Sequence, residues 1–166
     1  MSAFSGSTTA IQLMTTGSKT VERLVVDTNV LISAALSKRG APYKLMHALF
    51  GRAQIVFTQE TFAEFESRLW RPKFDAYLNI DERRQLLHNA ENMAHWVNTP
   101  AEIKSRCFCR DPDDDKFIHA AQAADCRWLV SGDADLLSLN PLDDLRLVSA
   151  NDALNQIPWL EHPSSL

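Results

Sequence analysis

Little in this sequence marks it for a special compartment or a familiar catalytic loop. Cysteine is scarce: Cys107, Cys109 and Cys126 are odd in number and too few for a disulfide scaffold. Cys107 and Cys109 are one residue apart, which is not a zinc-ribbon spacing, so the thiols read as reduced in a cytoplasmic protein. With five glycines in all, there is neither a phosphate-binding P-loop nor a dinucleotide fingerprint. No G-x-S-x-G elbow and no recognisable Cys–His context points to a nucleophilic enzyme. No apolar run approaches the roughly 20 residues a membrane span needs. Residues 1–20, rich in Ser, Thr and Gly, lack the basic flank and apolar core of a signal peptide and read as a flexible leader. Nor is there an excess of positive charge: the formal net charge of −4 excludes a protein that grips nucleic acid by bulk charge.

What is present is the composition of one globular α/β domain. Hydrophobic residues make up 45% and charged residues 23% of 166, enough for a core of ordinary size. The run Arg23–Asp27 is β-branched and ends in an acid, as a strand buried on both faces would. Helices are predicted over Thr28–Leu36 and Pro42–Phe50, then a strand over Gln54–Thr58. Thr58 caps a helix whose apolar face is Phe62, Phe65 and Leu69 and which Pro72 ends. Asp81–Trp96 and Asp113–Ala124 are helical in pattern, Trp128–Ser131 and Leu145–Val148 are strands, and Asn151–Gln156 is a short helix. This alternation argues a mainly parallel sheet over 21–157, with 158–166 as a peripheral tail.

The acids are not evenly spread. Asp27 and Asp133 each follow a predicted strand, where open α/β sheets bind their ligands. Asp111-Pro112-Asp113-Asp114-Asp115 opens a helix with more carboxylates than capping requires, and such density makes sense around a hard cation such as Mg²⁺ or Mn²⁺. Asp111, Asp113 and Asp115 also reproduce the first three ligand positions of an EF-hand, but Lys116 stands where the loop needs Gly and Gln122 where it needs Glu. Glu64 lies at the margin of its helix's apolar face, where an exposed i,i+4 pair with Arg68 explains it equally well. His119, on an alanine-rich helix, reads as a packed residue.

Val25-Val26-Asp27-Thr28-Asn29-Val30-Leu31-Ile32-Ser33-Ala34 resembles the opening strand and turn of PIN-domain nucleases. Glu64-Phe65-Glu66-Ser67-Arg68-Leu69, with Arg71-Pro72-Lys73-Phe74, is similar to the second acidic motif of a PIN subgroup described as bacterial toxins of toxin–antitoxin pairs. Arg110–Ile118 and Leu129–Leu137 resemble its third and fourth motifs, in the family's order. The resemblance implies a three-layer α/β/α fold with a four- to five-stranded sheet. It also implies one or two divalent metals held by Asp27, Glu64, Asp114 and Asp133, with Asp111, Asp115 and Asp135 in reserve. Within the aspartate run, Asp115 or Asp111 could take the role given to Asp114. Asn29 and Ser131 would orient the first and fourth carboxylates.

The activity so implied is metal-assisted hydrolysis of RNA phosphodiester bonds that leaves a 5′-phosphate, with no side-chain nucleophile. The implied partner is an antitoxin that places a basic side chain or a helix in the acidic cleft. Homodimers are common among such domains, and Leu86, Leu87 and Trp96 offer a surface unless they are core. Two other classes compete: a catalytically silent PIN-like binding module held by a partner, and an aspartyl-phosphate phosphatase or receiver. The latter wants a second acid where Asn29 stands. Setting aside Asp27, Glu64, Asp111, Asp113, Asp114, Asp115, Asp133 and Asp135 leaves thirteen acids against seventeen basic residues, so the net acidity is that of the site itself.

Overall fold

In the computed structural model, which describes residues 21–160, five parallel strands form one sheet in the order β3-β2-β1-β4-β5. The strands are β1 (Glu22–Val26), β2 (Ala53–Phe57), β3 (Ala94–Trp96), β4 (Trp128–Val130) and β5 (Arg146–Val148). Eight helices connect them: α1 (Thr28–Leu36), α2 (Ala41–Leu49), α3 (Gln59–Leu69), α4 (Ile80–Met93), α5 (Ala101–Lys104), α6 (Asp115–Ala123), α7 (Ala134–Leu137) and α8 (Ala150–Gln156). The expected leader, residues 1–20, and residues 161–166 of the expected tail lie outside the described residues.

The strands alternate their side chains between two cores, which makes the fold three-layered. Leu24, Val26, Ile55, Phe57, Val130 and Val148 pack with α1, α2, α3 and α8 on one face. Val25, Val56, Leu129 and Leu147 pack with Phe117, Ile118, Ala120 and Ala121 of α6 and Leu136 of α7 on the other. Every core strand is thus apolar on both sides, which is why Arg23–Asp27 reads as a continuous run rather than an alternating one. At the start of α3, Thr58 accepts from the Thr61 amide and Thr61 Oγ1 accepts from the Thr58 amide, a reciprocal cap. Gly51, just past α2, supplies the φ of 75° that stops the helix, a conformation costly for other residues.

Three details differ from the sequence reading. The predicted helix over Asp81–Trp96 stops at Met93, and Ala94–Trp96 becomes β3, pairing Ile55–Phe57 of β2. Leu86 and Leu87 are partly buried against the core, and Trp96, though 46% exposed, packs its ring 5.1 Å from Phe62, so none of the three stands free as a dimer surface. Pro158–Leu160 forms a 3₁₀ turn that buries Leu160 in the core, so packing extends past residue 157.

Strand order reverses between β1 and β4, the two strands that end in Asp27 and, two residues beyond β4, Ser131-Gly132-Asp133. That crevice at the carboxyl ends is where an open parallel sheet presents a ligand site.

Candidate metal and phosphate site

Asp27 sits at the end of β1, its amide still in the sheet ladder (2.8 Å to the Val130 carbonyl) and its side chain free of any helix-capping role. Its Oδ2 accepts the Ser131 hydroxyl at 2.7 Å, and Ser131 Oγ accepts the Asp133 amide at 3.0 Å. One fully buried serine therefore ties the ends of β1 and β4 together. Burial raises the proton affinity of Asp27 above the ordinary carboxylate range, against the hydrogen bonds from Ser131 and the Asn29 amide; the nearby Glu64 raises it further and Arg68 lowers it.

Asp114 enters from the 3₁₀ turn Pro112–Asp114 that precedes α6. Its carboxyl is pushed up to about 6, first by partial burial and then by Asp133, Asp111, Asp27 and Glu64. Four acids from distant segments converge on it, and their repulsion is what an oxygen-only cation site shows without its cation. Asp133, at the start of α7, accepts the Asp135 amide on Oδ1 at 2.8 Å, while Asp135 itself is exposed.

Glu64 arrives from α3 with 9% side-chain exposure, and both of its oxygens face cations: Arg68 Nη2 lies 2.7 Å from Oε1 and Lys116 Nζ contacts Oε2. No amide or hydroxyl reaches either oxygen. The i,i+4 pair with Arg68 read from the sequence forms, but it is a half-buried pair, not a solvated one. Arg68 also donates to Asn29 Oδ1 at 3.0 Å, so the Asn29 side chain holds a cation rather than orienting a carboxylate as expected. Lys116 lies 3.1 Å from Asp113 as well. Burial lowers its proton affinity, but Glu64 and Asp113 outweigh that and hold the ammonium above its usual range.

Two reserve acids have other partners. Asp115 is buried and its Oδ1 accepts the amides of Phe108 (3.0 Å) and Cys109 (2.8 Å), pinning the preceding loop to α6. Asp111 accepts the Asp113 amide at 2.9 Å and remains exposed. His119 is packed, with Nε2 2.7 Å from the Arg106 carbonyl. The thiols of Cys109 and Cys126 are both pushed up to about 12, principally by burial, which leaves them poor nucleophiles. The bridge from Lys116 to Glu64 across two helices was the contact missing from the sequence reading; only the shared position of Lys116 beside the aspartate run hinted at it.

Among the described residues, no three His, Cys, Asp or Glu side chains stand close enough to hold an ion as they lie. The donor set, carboxylate oxygens with unrelieved repulsion at Asp114, nevertheless fits Mg²⁺ or Mn²⁺ once the side chains rotate inward. A cavity of about 970 Å³ at the opposite end of the sheet, between Arg127, Asp143, Arg146 and Trp159, mixes acids and bases and gathers no comparable set. No helix among the described residues is long and apolar enough to cross a membrane.

The chain is 28% identical over 138 residues to an uncharacterized protein of Methanocaldococcus jannaschii, a match covering 82% of this chain and 85% of that one. Its fold is similar to that of PAE2754 from Pyrobaculum aerophilum (TM-score 0.52, 15% identity, 82% of this chain and 90% of that one). It is also similar to VapBC2 from Rickettsia felis, solved with a DNA fragment from their promoter (0.51, 14%, 75% and 96%). The same holds for VapBC-1 from nontypeable Haemophilus influenzae (0.51, 12%, 78% and 98%). The PIN-domain profile matches residues 23–135, which runs from β1 through the Asp133 turn, and the chain belongs to the PIN-domain family.

Proposed function

We propose that this chain is a divalent-metal-dependent ribonuclease, and the toxin of a toxin–antitoxin pair. The observation that carries the reading is the convergence of Asp27, Glu64, Asp133 and Asp111 on Asp114 at the sheet's switch point. Asp27, Asp114 and Asp133 would hold Mg²⁺ or Mn²⁺, with Glu64 completing the site directly or through water. Such an ion lowers the pKa of water and offsets charge on a scissile phosphate. The chain's own part is to hold the carboxylates ionised and aimed: Ser131 fixes Asp27 Oδ2, leaving Oδ1 for the cleft, and the Asp135 amide fixes Asp133. With both buried thiols protonated and His119 packed against Arg106, no side chain of the site serves as a nucleophile, in keeping with direct hydrolysis that leaves a 5′-phosphate.

The antitoxin partner rests on the motif resemblance and on the similarity of fold to the VapBC assemblies. A silent PIN-like module held by a partner is favoured by one observation, that no three acids are pre-assembled on an ion. Incubating the purified chain with structured and single-stranded RNA, in Mn²⁺ or in EDTA, separates the two: metal-dependent loss of full-length RNA supports the nuclease, and intact RNA in both supports the module.

A further inference from the structure

Glu64 differs from the other three acids in one respect. Asp27, Asp114 and Asp133 repel one another, whereas each Glu64 oxygen already faces a cation of its own. A divalent ion would have to displace Arg68 or Lys116 to reach it, but meets no resident cation on the other three. Resting on the nuclease reading, we propose that Glu64 anchors a two-cation clamp of Arg68 and Lys116. The clamp receives the phosphate backbone of the polynucleotide beside the Asp27, Asp114 and Asp133 cluster, and Glu64 is a positioning residue rather than a metal ligand.

Each cation is fixed from two sides. Arg68 spans Glu64 and Asn29, two residues from Asp27; Lys116 spans Glu64 and Asp113 and lies two residues from Asp114. The pair thus straddles the cluster. Donors remain on both: the guanidinium has five N–H groups and the ammonium three, and each cation has two recorded partners. With side chains 24% and 16% exposed, both are within reach of a ligand, and the Asp113 partner of Lys116 is 66% exposed and free to yield. A planar guanidinium held at one edge suits a phosphate at the other. Stability alone is a weak reason for such an arrangement, since partly buried ion pairs return little net energy.

Metal binding and RNA binding are measured separately. In Mn²⁺ titrations followed by electron paramagnetic resonance, Glu64→Gln keeps its affinity within about threefold of wild type while Asp114→Asn loses tenfold or more. In anisotropy titrations of an end-labelled single-stranded RNA with Ca²⁺ present, Arg68→Gln and Lys116→Gln each weaken binding about tenfold and lower the salt slope by about 1. Lys116→Arg, which keeps the charge, binds RNA as wild type does and controls for misfolding, as do melting curves of all variants. Loss of Mn²⁺ affinity in Glu64→Gln equal to that in Asp114→Asn, or wild-type RNA binding by Arg68→Gln and Lys116→Gln, overturns the clamp. A wild-type chain that binds Mn²⁺ yet neither binds nor cleaves RNA overturns the nuclease reading, and the clamp with it.

Discussion

Ser131 Oγ lies 2.7 Å from Asp27 Oδ2, linking residues 104 positions apart across the point where strand order reverses. The serine is fully buried and also accepts the Asp133 amide, so it aligns the two acids that close β1 and β4. Ser131→Ala removes a hydrogen bond to a buried carboxylate, at a cost of about 1.5–3 kcal/mol of stability, and lowers Mn²⁺ affinity roughly tenfold or more. Denaturant melts and Mn²⁺ titration of the variant check both numbers.

The raised carboxyl of Asp114, about 6, makes metal binding pH-dependent in a defined direction. Below pH 6 the proton must leave before the ion enters, so Mn²⁺ affinity falls about tenfold per pH unit, while Asp114→Asn binds weakly at every pH. Stability moves the opposite way. A folded-state value raised above the unfolded value of about 4 means the folded protein binds the proton more tightly, so stability is lost as pH rises between about 4 and 6. Without metal, Asp114→Asn therefore melts above wild type at pH 7–8 and level with it near pH 4. The gap is a few degrees, about 2–4 °C per kcal/mol for a domain of this size.

Asp115 tests the division of labour within the aspartate run. Its acceptor role toward Phe108 and Cys109 is structural, so Asp115→Ala leaves two amides unpaired and destabilises the fold by roughly 2–4 kcal/mol. Asp115→Asn retains an acceptor oxygen and a larger share of that stability. Both variants, where folded, bind Mn²⁺ as wild type does; a tenfold loss in Asp115→Asn with unchanged melting would make it a ligand.

Elements with a strong pattern were legible before the structure: the all-apolar run of β1, the Thr58 cap of α3, and the helix that follows the aspartates. β3 was not, because Ala94-His95-Trp96 is three residues long and continues the apolar spacing of α4; only its pairing with β2 makes it a strand. α7, four residues long, is too short to show a period. In the site, Asp27 and Asp133 followed from their place at strand ends, since topology alone brings such residues together. What Asp115, Asn29 and Lys116 do depended on which way each side chain turns, and neighbours from other segments decide that: the amides before α6 for Asp115, Arg68 of α3 for Asn29, Glu64 of α3 for Lys116.

The most direct measurement is the cleavage of single-stranded RNA by wild type and Asp27→Asn prepared side by side, in Mn²⁺ and in EDTA, with the product ends analysed. The expected result is cleavage by wild type in Mn²⁺ alone, leaving 5′-phosphates, and a loss of about a hundredfold or more in Asp27→Asn. Cleavage that survives both EDTA and Asp27→Asn would contradict the assignment of this site.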